Sequence, residues 1–238
     1  NKISGPHPAG NVGIQMHHID PINKGEVVWV LNALDVLTIG KLFLEGKFDA
    51  SRAVALVGAK VNEPKYIKTI LGANVADITK GNVIEGGRYI SGNPLSGKQV
   101  AADGHMSFYN YQLSVITEGG ENRFMGWLPF FGFNGFSLSR TSFSFLSPNK
   151  KRDLDTNMNG EERAFVMSGE YDKVFPMDIY PVQLVKSMIT EDIDLMENLG
   201  VYEVAPEDFA LCEYGCTSKI ETQKIVREAL DLVRKETS

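Results

Sequence analysis

From about Glu26 the apolar residues Val27, Val30, Leu31, Leu34, Ile39, Leu42 and Phe43 recur at spacings of three to five, which predicts a helix. Gly46 is placed to stop it in a left-handed conformation. A short strand is predicted over 52–57, where an apolar run without alternation suits a strand covered on both faces of a parallel sheet. Helix into buried strand is half of a βαβ unit, so this first part reads as the tail of a Rossmann-like, doubly wound α/β domain. From Pro64 the texture changes to short strands over 66–71, 88–91, 112–117 and 124–128, separated by glycine-bearing turns. One small helix is inserted, with Asn74 as its cap, Val75 and Ile78 on its apolar side and Gly81 at its end. Several strands with one helix across them predict a β-grasp, SLBB-like module. The stretch 130–146 is aromatic and serine-rich, with a further strand expected from the alternation over 136–139.

After Pro148 helices take over. Residues 182–189 carry an apolar stripe, and Thr190 precedes Glu191 and Asp192, acids that suit a positive helix amino terminus. Gly200 closes the helix that these acids open. Pro206 opens another that Gly215 ends, and Ser218 with Glu221 predicts a capping box for a last amphipathic helix bearing Ile225, Val226, Ala229, Leu230 and Val233. The expected class is therefore α+β and multi-domain: a Rossmann-like tail over 1–62, the β-grasp module over 63–147 and a helical bundle over 148–238.

Composition narrows the partners. The chain has 238 residues, 43% of them hydrophobic, enough for a sizeable core without metals or disulfides. Its apolar runs fall far short of the roughly 20 residues that span a bilayer, so any membrane association is expected to pass through a partner. A formal net charge of −6 argues against a nucleic-acid surface, and the short basic cluster at Arg140 and 150–152 reads as a solvated loop. Residues 191–213 hold eight acids and no Lys or Arg, a face that repels phosphates and anionic lipid. Two cysteines in a chain of this size suit a reducing compartment, so a cytoplasmic location is expected. The start at Asn1, with neither Met nor a targeting pattern, reads as an excised piece of something longer.

Candidate chemistry is sparse. Gly5, His7, Gly10 and Gly13 lie in a turn that could shape a phosphate-cradling loop, although the Lys-Ser/Thr ending of a P-loop is missing and a structural turn is favoured. His17 and His18 are adjacent and would point to opposite faces of an extended chain, and no His-Glu-x-x-His or paired Cys-x-x-Cys motif suggests a metal. Cys212 and Cys216 stand at i, i+4 spacing, on one face of the Pro206 helix if it runs past Gly215. Two thiolates are half a metal site; the plainer expectation is one buried thiol and one near the surface. Ile90-Ser91-Gly92 and Leu95-Ser96-Gly97 are only partial echoes of a nucleophile elbow, and no catalytic residue is assigned.

Motifs carry the reading further. Gly5-Pro6-His7-Pro8-Ala9-Gly10, Arg88-Tyr89-Ile90-Ser91-Gly92, Arg163 with Tyr171-Asp172-Lys173-Val174-Phe175-Pro176-Met177-Asp178, and Phe209-Ala210-Leu211-Cys212 resemble, in order, the NqrA subunit of the sodium-translocating NADH:quinone reductase. That family is related in fold to the flavin- and NADH-binding subunit of respiratory complex I and to a subunit of the Rnf complex. The resemblance implies a Rossmann-like domain, a β-grasp domain and a bundle that in those relatives houses a four-cysteine iron–sulfur site. Here that position is degenerate, reduced to Cys212 and Cys216, so no cofactor or metal is expected in this fragment. The resemblance further implies a peripheral subunit on the cytoplasmic face of the bacterial inner membrane, within a complex that passes electrons from NADH to ubiquinone and pumps sodium. Its partners would be the other subunits and ubiquinone. Trp127, Phe130, Phe131 and Phe133 fit either an interface or a quinone groove, with core or subunit contact preferred. The alternatives are an electron-carrying flavin or iron–sulfur subunit of the Rnf or complex I type, and a free-standing enzyme binding a phosphorylated ligand at the Gly5 to Gly13 turn.

Overall fold

The computed structural model describes residues 2–120 and 143–237. The strands expected over 124–128 and 136–139, and the candidates Trp127, Phe130, Phe131 and Phe133, lie outside the described residues. The chain divides into two compact units: Asn1–Trp29 with Met125–Pro148 and Met158–Ser238, and Val30–Phe124 with Asn149–Asn157.

The first unit is helical. It contains α1 (Val12–Ile19), α4 (Pro181–Ile189), α5 (Ile193–Asn198), α6 (Ala210–Gly215) and α7 (Thr222–Thr237). Its core gathers Leu184 and Val185 of α4, Met196 of α5, Phe209 and Cys212 around α6, and Val226, Ala229 and Val233 of α7. The spacing of the α7 residues puts one stripe inward, and each fully buried side chain of this size contributes roughly 1.5–3 kcal/mol. Pro181 occupies the first turn of α4, where its missing N–H leaves no intrahelical bond unmade. Asp192 caps α5 by accepting from the Leu195 N–H at 3.0 Å, while the hydroxyl of Thr190 turns back to the Lys186 carbonyl. Gly200 follows with φ of 89°, the left-handed stop expected there.

Two features of this unit differ from the expectation. The capping box does not form: Ser218 Oγ donates to the Ala164 carbonyl, and the Gln223 N–H at the start of α7 is taken by Glu213 Oε2 of α6 at 2.7 Å. A reversal through Lys219, whose φ is 55°, brings a carboxylate from the preceding helix to where the local box would have sat. The segment predicted as an irregular turn also contains α1, whose single buried residue, Ile14, and early Gly13 leave almost no periodic signal.

The second unit is a mixed five-stranded sheet in the order β2-β1-β5-β3-β4, made of β1 (Ser51–Val57), β2 (Lys65–Ile70), β3 (Gly87–Ser91), β4 (Lys98–Val100) and β5 (Gln112–Thr117). β1 pairs antiparallel with β2 and parallel with β5, and β3 lies antiparallel to both β5 and β4. First and last strands parallel at the centre, with α3 (Val75–Thr79) packed across, is the β-grasp arrangement. The helix cap is as predicted: Asn74 Oδ1 accepts from the Ala76 N–H at 2.8 Å. The short strand β4 has too few residues to show in the pattern.

β1 therefore opens the grasp sheet, with one parallel and one antiparallel neighbour, and is not flanked by parallel strands on both sides. Its apolar run hides an alternation of burial. Val54 and Leu56 enter the core with Val75, Ile78, Leu113 and Val115, while Ala53 is exposed and Ala55 half-buried. Small alanines read as apolar in sequence but do not require cover. Gly58 lets the chain leave β1 against β5, since a Cβ there would sit 2.1 Å from the Val115 carbonyl oxygen. A clip closes the far end of β5, where Thr117 bridges Asp155, Thr156 Oγ1 accepts from the Gly119 N–H at 2.6 Å, and Glu118 is held bidentate by Arg88.

Candidate functional site

The degenerate cluster position lies inside the helical unit. Cys212 faces inward from α6, and Cys216 follows just after that helix ends, on extended backbone with φ −63° and ψ 118°. The helix does not run past Gly215, so the two sulfurs do not share a helical face. Both residues are buried, 1% and 3% exposed, which replaces the expectation of one near the surface. The Tyr171 hydroxyl donates to Cys216 Sγ at 3.2 Å and shares a hydrogen bond with Thr222 Oγ1 at 3.0 Å. Burial pushes the Cys212 thiol up to about 12, with the neighbouring Cys216 and Asp172 adding to it. The Tyr171 phenol is raised too, by burial first and then by its bond to Cys216. A metal binds thiolate, and a thiol so raised stays protonated at neutral pH. Two cysteines, one accepting a tyrosine hydrogen bond, do not fit a four-thiolate cluster. Among the described residues no three His, Cys, Asp or Glu side chains converge.

The glycine turn leads directly into α1. Gly5, His7 and Gly10 are exposed, while Gly13 sits in the first turn of the helix with its Cα hydrogens against a carboxylate. A Cβ on Gly13 would fall 2.3 Å from Asp208 Oδ2. Asp208 is 1% exposed, accepts from the Ala205 N–H at 2.9 Å and from Asn11 Nδ2 at 3.4 Å, and its carboxyl is raised by burial in spite of these bonds. The helix start, where a phosphate would be cradled, is thus filled by the protein's own anion.

The histidines serve the same anchoring. His17 Nε2 accepts from the Asp178 N–H at 2.9 Å, which leaves Nδ1 to donate to Glu203 Oε2 at 2.7 Å. His18 Nε2 lies 2.9 Å from the Pro176 carbonyl and must carry a hydrogen there. On a helix, adjacent positions thus grip successive points of one loop, and both rings are structural. In that loop Phe175 packs on Phe209 with ring centroids 4.7 Å apart and Met177 is buried. His105 is exposed and bridges to Asn74.

In the sheet unit, α2 (Ala33–Glu45) and β1 meet through polar groups. Asp35 accepts from the Tyr111 hydroxyl and pairs with Arg52 Nη2 at 3.4 Å. Arg52 also donates to the Phe108 carbonyl and lies 4.2 Å above the Tyr111 ring. Beside this latch is a cleft of about 220 Å³ lined by Leu34, Leu37, Thr38 and Lys41 of α2, with Asp49, Ser51, Arg52, Ala53 and Tyr111. Ser91 is fully buried, its Oγ accepting from the Ser107 N–H at 3.0 Å and from Asn110 Nδ2 at 3.1 Å, so it is a structural hydroxyl. Ser96 is tied into a local turn by Asn93.

Comparison with known proteins assigns the chain. A family described as NqrA second alpha/beta domain matches residues 1–48, and one described as NQRA C-terminal domain matches residues 53–102. The NqrA subunit of the Na(+)-translocating NADH-quinone reductase of Pasteurella multocida is 42% identical over 99% of this chain and 53% of its own length. The corresponding subunits of Hahella chejuensis and Rhodopirellula baltica are 39% and 40% identical, again over 99% of this chain. This chain belongs to the NqrA family. It spans about half the length of the curated NqrA relatives that it matches, 53% for the first of them. The C-terminal-domain match falls on β1 to β4 of the grasp sheet, and the α/β-domain match covers both α1 and α2.

Sequence reading missed Asp208, Glu213 and the Arg52–Asp35–Tyr111 latch. Asp208 and Glu213 lie in the acid-rich stretch taken for a solvated face. Their only signal was proximity to Pro206 and Gly215, where helix ends gather carboxylates from outside the local sequence.

Proposed function

We propose that this chain is part of the peripheral NqrA subunit of a sodium-translocating NADH:ubiquinone oxidoreductase, held at the cytoplasmic face of the bacterial inner membrane by the other subunits. In this reading it contributes a docking scaffold and a quinone-facing surface, the latter drawing on Trp127, Phe130, Phe131 and Phe133, and holds no redox centre. NADH and ubiquinone are then used by the whole complex. Identity of about 40% across nearly the entire chain to proteins of that name carries the proposal. Two observations favour a scaffold over an electron carrier: the buried, protonated thiols at the degenerate cluster position, and the filled start of α1. No helix among the described residues is long and apolar enough to cross a membrane, in keeping with attachment through partners.

The test is purification of a tagged, full-length polypeptide carrying this chain from cells that hold the other subunits. Co-purification with membrane partners, and a colourless sample when the polypeptide is isolated, are expected. A stable monomer that never joins a membrane complex overturns the placement; visible flavin or iron–sulfur absorbance in the isolated polypeptide overturns the scaffold role.

A further inference from the structure

α2 is amphipathic in the inverse sense. Its polar stripe faces the sheet: Asp35 holds Arg52 and Tyr111, and Thr38 and Lys41 line the cleft beside β1, with Lys41 paired to Asp49 at 2.7 Å. Its apolar stripe faces water. None of its 13 residues is buried, and Phe43 and Leu44 are 84% and 88% exposed. A helix normally buries its apolar face and solvates the other. Here charge pairs hold the wet side in place and leave an uncharged surface presented outward.

The residues leading into α2 repeat the pattern. Residues 27–31, Val-Val-Trp-Val-Leu, are β-branched or large apolar side chains, and Trp29 is 90% exposed. Such a run suits a strand covered on both faces, and such strands occur in parallel sheets with helices on either side. A strand of that kind followed at once by a helix is one β–α step. The α/β-domain match spans both, and about half of the relatives' length lies outside this chain.

We propose that residues 27–31 and the outer face of α2 form a docking surface for the remaining strands of an α/β domain, carried by the part of the relatives' length that this chain does not span. The Arg52–Asp35–Tyr111 latch then joins that domain to the grasp sheet, so α2 belongs to both. Three features select an apolar sheet as the occupant. The outer face carries no unpaired charge, Gly40 leaves its middle flat with open space above it, and the run at 27–31 has the composition of a strand between parallel neighbours. The inference rests on the family and not on the placement of the chain in a sodium pump.

Hydrogen exchange at the amides of 27–31, together with acrylamide quenching of Trp29 in a Trp127→Phe background, tests it. The polypeptide extended to the length of the relatives, without other subunits, is compared with the 238-residue chain. Exchange slowed by about 100-fold or more, with weaker quenching, is expected in the longer polypeptide. In that same polypeptide Phe43→Asp is expected to restore exchange at 27–31 while leaving the β1 and β5 amides protected, a readout that does not need the shorter chain to fold. Protection seen only with the other subunits present, protection of the shorter chain that rises with its concentration, or no protection at all would each overturn the proposal. The first result would assign the surface to a neighbouring protein of the complex and leave membership in that complex intact.

Discussion

Replacing Gly13 by Ala isolates the contact between α1 and Asp208. In an exposed helix the change is stabilising by roughly 1 kcal/mol, because Ala loses less backbone entropy than Gly. Here the new methyl would lie 2.3 Å from Asp208 Oδ2 and 2.9 Å from its Cγ, well inside contact distance. The carboxylate is 1% exposed, so it must shift within a packed core. That shift breaks or stretches its bonds from the Ala205 N–H and Asn11 Nδ2. Losing two buried hydrogen bonds costs about 2–4 kcal/mol, and overpacking alone typically costs about 1–3. Net of the helix gain, Gly13→Ala is expected to lower stability by about 1–3 kcal/mol. Urea denaturation followed by circular dichroism measures it, with Gly10→Ala as control, since no atom lies within 4 Å of a Cβ there. The double variant Gly13→Ala with Asp208→Ala should cost less than the sum of the single changes. A Gly13→Ala protein as stable as, or more stable than, the parent would refute the contact and reopen the helix start to an external anion.

Three further outcomes follow from the buried groups. Cys212 and Cys216 should resist a thiol-exchange reagent in the folded protein and react with both sulfurs after unfolding; fast labelling of either in the native state would contradict their burial. The same raised thiol makes stability pH-dependent on the alkaline side. The folded form keeps its proton to about 12 against 9.0 for the free group, so its contribution is complete below pH 9 and declines as pH rises from there toward 12, a component that Cys212→Ala should remove. Asp208 and Glu213 are also raised by burial, above 3.8 and 4.5. The folded state binds their protons more tightly than the unfolded chain, so their ionisation opposes folding above those values and acidification relieves it. Asp208→Asn should accordingly lose ground to the parent as pH falls toward about 5, seen as a shrinking difference in urea midpoint.

Much of the fold was legible because it is local. The Asn74 cap, the Gly46, Gly81 and Gly200 stops and the α7 stripe each depend on residues within a turn of one another. What was not legible depends on residues far apart. β1 looked like a strand between parallel neighbours because alanines at 53 and 55 filled its open face, and only the pairing with β2 and β5 shows the alternation. α1 was hidden because its stability comes from His17 and His18 gripping a loop about 160 positions away. At the candidate site the two cysteines were recognised, but their surroundings were not: Tyr171 lies 45 positions upstream of Cys216 and reads in sequence only as part of a motif.

The carboxylate that Glu213 lends to α7 makes the final two helices interdependent. A sixteen-residue helix is near the length at which helices begin to hold alone in water, and this one starts without a cap of its own. Cut free, it would fray from its first turn; docked, it is completed by its neighbour. Residues 210–237 therefore gain and lose order as one body, and damage to either helix is felt at the start of the other.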